Sequence, residues 1–160
     1  MIVKIKFKDD NAKALYQKAD KEGDGFPFKG HDDDFCHDCI ATSCEELAPN
    51  VYCYGLGISL QMCPQGLLLD DKKYSIDVRP RSSVWKTGMV LSNCEGTIDL
   101  GYTGEIKAVF YHVLPNMPKY EVGDKICQLK IGTTEEIYFI EVDSLDKTSR
   151  GDGGYGSTGK

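Results

Sequence analysis

The chain has 160 residues, 41% of them hydrophobic and 28% charged, and a formal net charge of −6. That is enough for one globular domain with a real core, and no apolar run approaches the ~18 residues that a membrane-spanning helix needs. The acid excess argues against generic duplex-DNA binding, which relies on many cations neutralising phosphates, but it leaves room for a small anion held by a few local cations.

In chain order, residues 2–8 alternate apolar and polar side chains and predict a half-buried strand. Residues 11–19, NAKALYQKA, predict a short helix, which Gly23 and Gly25 bring to an end, and 20–34 is a polar loop. Then come short apolar runs separated by Gly, Pro, Asn or Asp: VYCYGLGISLQMC, GLLLDDKKYSIDV, GMVLS, GTIDL, EIKAVFYHVL, KICQLKI and EIYFIEV. They are rich in β-branched and aromatic residues and carry no helical stripe, so the fold class is all-β, a barrel or sandwich. The tail, SRGDGGYGSTGK, holds five glycines. It is expected to be mobile until something holds it.

There are seven cysteines. An odd number, with an opening sequence (MIVKIKFKDD) unlike a secretory signal, predicts a reduced, cytoplasmic chain rather than a disulfide scaffold. Cys36 and Cys39 form a Cys-x-x-Cys with His31, His37 and Cys44 nearby. A single such pair is a weak zinc signal, and free thiols buried in strands are the simpler reading.

Arginine is scarce, with only Arg79, Arg81 and Arg150 in the chain. Arg81 precedes Ser82 and Ser83, and Arg150 opens the glycine-rich tail. A guanidinium fork beside hydroxyls and exposed backbone N–H groups suits phosphate oxygens, although surface arginines in turns would look the same. Asp99 lies three residues before Tyr102 in GTIDLGYTGE. The pattern predicts a tight hairpin between two strands, with a carboxylate and a ring pointing into one crevice.

Taken in order, these segments resemble the trimeric deoxyuridine triphosphate nucleotidohydrolases (dUTPases). FCHDCIA, PRSS, NCEGTIDLGYTGE, GDKICQLKI and RGDGGYGSTG match the family's five motifs across most of the chain. There are departures. Only Asp38 survives of the usual first motif, Ser83 replaces a Gly, Gly101 and Thr103 flank Tyr102 in place of the usual Asp and Arg, and Tyr155 stands for a Phe.

The resemblance implies a distorted β-barrel over 1–149, a C-terminal arm (150–160) closing over the site, and a homotrimer whose active sites are shared between subunits. It implies hydrolysis of dUTP to dUMP and pyrophosphate with Mg²⁺, in which Asp99 deprotonates the attacking water. Asp38 would touch the metal through water. Arg81, Ser82, Ser83 and Gln128 would hold phosphates. Asn93, Gly96, Thr97 and Ile98 would frame the uracil, Tyr102 would pack under the sugar, and Lys107 would contact substrate. Arg150, Gly156, Ser157 and Thr158 would clamp the γ-phosphate, with Tyr155 stacked on the base. No membrane or direct nucleic-acid partner is expected.

Two other readings suit parts of the same sequence. The sister deoxycytidine triphosphate deaminases share the Arg-Ser-Ser, but they need a Glu where Val109 stands and an Arg where Lys86 stands. A non-catalytic dUTP-binding protein on the same fold is the other.

Overall fold

The computed structural model describes residues 2–20, 26–63, 73–135 and 137–151. The alternating N-terminus forms strand β1 (Ile2–Phe7), and helix α1 (Asp10–Ala19) follows. Asp9 caps that helix, its Oδ1 accepting from the Ala12 N–H at 2.8 Å, which satisfies one of the first-turn donors that the helix itself leaves unpaired. One face of α1 brings Tyr16 into the core, where its hydroxyl donates to the Leu56 carbonyl at 3.1 Å and accepts from the Ile40 N–H at 3.3 Å. Burial pushes the Tyr16 phenol far up, which keeps it neutral.

The other strands are β2 (His37–Ile40), β3 (Ser43–Ala48), β4 (Val51–Gly55), β5 (Ile58–Cys63), β6 (Lys73–Pro80), β7 (Met89–Leu91), β8 (Gly96–Ile98), β9 (Lys107–His112) and β10 (Lys125–Thr134), with a 3₁₀ turn at Ser82–Lys86. They make three antiparallel sheets in the orders β1-β5, β2-β10-β6-β8 and β3-β4-β9-β7. All three sheets and α1 contribute to one core, in which Tyr54, Phe110 and Tyr120 meet edge to face. The all-β expectation holds, with α1 as the one α-helix among the described residues; no described helix is long and apolar enough to cross a membrane.

Three sequence expectations are corrected. VYCYGLGISLQMC is not one strand. At Gly57 the backbone turns left-handed (φ +64), a region open to glycine at little cost, and the run splits into β4 and β5 in different sheets. The hairpin around Asp99 does not form either. β8 pairs with β6 and β9 with β4 and β7, so residues 99–106 cross from one sheet to another. Finally, the described residues of EIYFIEV, 137–142, form no strand. They join no sheet, and Ile137, Tyr138, Phe139, Ile140 and Val142 face outward, Phe139 at 93% exposure. Strand backbone needs a hydrogen-bonding neighbour, and none is offered to these residues within the described chain.

Candidate active site

The antiparallel register of β2 against β10 sets Asp38 opposite Gln128, and β10 in turn runs beside β6, which leads into the Arg81 turn. Asp38 is only 4% exposed, so its carboxylate needs partners. It has three. Arg81 grips it bidentately, Nε to Oδ1 at 2.9 Å and Nη2 to Oδ2 at 3.2 Å. Gln128 donates from Nε2 to Oδ1 at 3.0 Å, and Lys125 Nζ lies 3.5 Å from Oδ2. Arg81 Nη1 also donates to the Ser83 hydroxyl at 3.3 Å. The first, second and fourth motifs thus meet in one ion-paired cluster, and Ser82 opens the 3₁₀ turn beside it. Lys125, in the fourth motif, joins the cluster beyond the residues expected from the sequence. Its ammonium stands 4.2 Å above the Phe28 ring, a cation–π contact that fixes it beside Asp38.

The third motif builds a different place. Thr97, Ile98, Asp99, Tyr102, Glu105, Ile106 and Lys107 line a crevice of about 270 Å³. A turn bond from the Tyr102 N–H to the Asp99 carbonyl, 3.0 Å, folds the segment so that Asp99, Tyr102 and Lys107 share it. The predicted convergence therefore occurs, but on a crossover between sheets. The Tyr102 ring lies against Gly104, where a Cβ would come within 2.6 Å of its hydroxyl oxygen. Asn93 covers Gly96, its Nδ2 standing 3.0 Å from where a Cβ would be. Glu105 and Ile106 were not foreseen as lining residues. None of Arg81, Ser82, Ser83 or Gln128 lines this crevice.

Arg150 is exposed, and the Gly151 N–H after it donates to the Thr148 hydroxyl at 3.1 Å. Tyr155, Gly156, Ser157 and Thr158 lie outside the described residues. Of the cysteines near the first motif, Cys39 is buried, Cys36 half-buried and Cys44 exposed, so the buried-thiol reading holds for Cys39 alone.

A carboxylate and a ring in an open crevice, with a separate patch of guanidinium, hydroxyl and amide groups, are the equipment of a nucleotide-handling enzyme. The dUTPase family model matches residues 61–159. The deoxyuridine 5'-triphosphate nucleotidohydrolase of Corynebacterium glutamicum is 38% identical over 139 residues, 84% of this chain and 87% of that one. The dUTPase of Staphylococcus bacteriophage 80alpha, solved with dUpNHpp, shares the fold with a TM-score of 0.72 over 99% of both chains at 20% identity. A dUTPase of phage phi11 of S. aureus, described with a structural Mg(II) ion, superposes with a TM-score of 0.65 at 18% identity, covering 92% of this chain and all of that one. The chain belongs to the dUTPase family.

Proposed function

We propose that the chain hydrolyses dUTP to dUMP and pyrophosphate, with the attacking water deprotonated at Asp99. The observation that carries this is the single crevice in which Asp99, Tyr102 and Lys107 converge. In the step, water oxygen bonds to the α-phosphorus, its proton passes to the Asp99 carboxylate, and the bond from that phosphorus to the bridging oxygen breaks to release pyrophosphate. One well-placed carboxylate is enough, because phosphoryl transfer is mostly positioning and charge neutralisation. Tyr102 packs under the deoxyribose and leaves no room for a 2′-hydroxyl. Asn93 and the backbone of Gly96, Thr97 and Ile98 frame the uracil, and Lys107 contacts the substrate. Such an enzyme limits uracil incorporation into DNA and supplies dUMP for thymidylate synthesis.

Arg81, Ser82, Ser83 and Gln128 hold the phosphates. Because they do not line the Asp99 crevice, a complete site takes its crevice from one copy and its phosphate cluster from another, in a homotrimer. The exposed apolar residues of 137–145 supply surface for such an assembly. The arm from Arg150, with Tyr155 on the base and Gly156 to Thr158 on the γ-phosphate, closes over the nucleotide and excludes water.

Mg²⁺ fits this arrangement as part of the substrate. Asp38 is already occupied by Arg81, Lys125 and Gln128, and among the described residues no cluster of three acidic, His or Cys side chains offers a cage. A cation on the triphosphate, reached from Asp38 only through water, would neutralise charge on the phosphate oxygens.

The deaminase reading has no support at the decisive position. Val109 sits on β9 opposite Cys53 and has no proton to give. The test is to incubate the chain with dUTP, dCTP, UTP and dTTP plus Mg²⁺ and identify products. Release of dUMP and pyrophosphate from dUTP alone is expected. Ammonia from dCTP, or tight dUTP binding without turnover, would establish one of the alternatives.

A further inference from the structure

Tyr102 is 46% exposed, so burial alone does not hold its ring. Its hydroxyl donates to the Glu105 carbonyl at 2.9 Å, and Gly104 supports its face. What fixes Glu105 therefore helps to fix the ring.

The Glu105 side chain is turned away from solvent, with 18% exposure. Its Oε1 accepts from the Gly57 N–H at 3.1 Å, and its Oε2 pairs with Lys8 Nζ at 3.2 Å. The slot it occupies exists because residue 55 is glycine. A Cβ there would stand 2.5 Å from Glu105 Oε1 and 2.5 Å from the Ser43 hydroxyl. The carboxylate thus ties the crossover segment to the β4–β5 turn and to the end of β1. A charge-assisted bond to a backbone donor with restricted solvent access is among the stronger single tethers a loop can have.

From this geometry we propose that Glu105 is a positioning residue for sugar discrimination. Its carboxylate, held by Gly57 and Lys8 in the space left by Gly55, sets the carbonyl that fixes the Tyr102 hydroxyl, and with it the wall that a 2′-hydroxyl meets. The inference rests on the dUTP reading of the Asp99 crevice. Glu105 does not act on the reacting atoms, so its loss changes which nucleotide is taken more than how fast dUTP is cut.

The experiment measures kcat and KM for dUTP and UTP in the wild type, Glu105→Ala, Glu105→Gln and Tyr102→Phe. Glu105→Ala should lower the dUTP/UTP ratio of kcat/KM by about 10-fold, equivalent to one hydrogen bond's worth of positioning, mainly through a gain on UTP. Glu105→Gln keeps an acceptor for the Gly57 N–H and should retain most of the discrimination. Tyr102→Phe removes the bond to the carbonyl and should resemble Glu105→Ala. A merely structural Glu105 would change Tm and leave the ratio alone.

A folded Glu105→Ala with the wild-type ratio overturns the proposal. If that variant does not fold, an unchanged ratio in Tyr102→Phe overturns it instead. A wild-type chain that cuts dUTP and UTP equally overturns the dUTP reading, and that result needs no variant.

Discussion

The Asp38 cluster and the Asp99 crevice put two aspartates of one chain in opposite situations. Asp38 is buried on β2 opposite Gln128 of β10, and its carboxylate is spoken for by a guanidinium, an ammonium and an amide. Asp99 stands at a crossover, lining an open crevice beside Tyr102 and Lys107. The first is built to hold cationic groups in fixed places before any nucleotide arrives. The second lies open, its carboxylate free of any such seal. A buried ion pair contributes order more than net stability, but removing one partner strands the other. An exposed carboxylate can be lost with little structural consequence, so the proposed role of Asp99 as base is testable without unfolding the chain. The two aspartates should therefore fail in different ways when mutated.

The largest expected effect is at the open end. Asp99→Asn should cut dUTP turnover by about 10³-fold, because the amide cannot take the proton, while a non-hydrolysable dUTP analogue still binds and the denaturation midpoint stays put. Near-normal turnover would remove Asp99 from the role of base. At the sealed end, Asp38→Ala should cost about 3 kcal/mol of stability in a denaturant titration, the penalty of leaving Arg81 and Lys125 without their anion. A loss no larger than that of Asp99→Asn would erase the contrast.

Thiol labelling sharpens the comparison further. Cys39 and Cys127 face each other across β2 and β10, next to the Asp38–Gln128 pair, and both are fully buried. Hydrogen bonding to Cys39, followed by burial, pushes the Cys127 thiol well up, which keeps it an unreactive neutral group. Cys44 and Cys94 are exposed and should alkylate first, with Cys39 and Cys127 reacting only on unfolding.

The smallest effect concerns His37, the residue before Asp38, at the rim of an apolar cavity lined by Ile5, Leu60, Ile76 and Leu129. His37 is exposed overall, but partial desolvation against the cavity wall, and then the charge of Lys29, hold its pKa below the ordinary 6.5. A group with a depressed folded-state pKa favours the fold in its neutral form. Its contribution is present above the unfolded value and lost as pH falls below about 6.5 toward the folded value. Stability measured from pH 7.5 to 5 should show this decline, and His37→Gln should flatten it.

Much of this was legible in the sequence, and what was missed has identifiable causes. Period-two alternation marked β1, and a short polar-apolar run before glycines marked α1, because both signals are local. The Asp99–Tyr102 convergence was legible because it is set by one turn. Whether β8 and β9 pair with each other was not, since pairing depends on strands β4 and β6 far along the chain. HDCI and SCEELA became β2 and β3 although one suggested metal ligands and the other has every residue exposed. The role of Glu105 was hidden for a similar reason. Nothing near it in sequence announces that glycines 48 and 50 residues earlier will open a slot and point an N–H into it.

Subunit mixing tests directly the proposal that the sealed cluster and the open crevice complete one another across copies of the chain. Asp99→Asn lacks the base, and Arg81→Gln keeps a donor toward Asp38 but lacks the phosphate fork. Each alone should form trimers that do not hydrolyse dUTP. Co-expressed with different tags and purified as mixed trimers, they should regain hydrolysis, because some sites would then pair an intact crevice from one chain with an intact cluster from the other. Mixed trimers as inactive as either parent would contradict the claim and return both regions to a single chain.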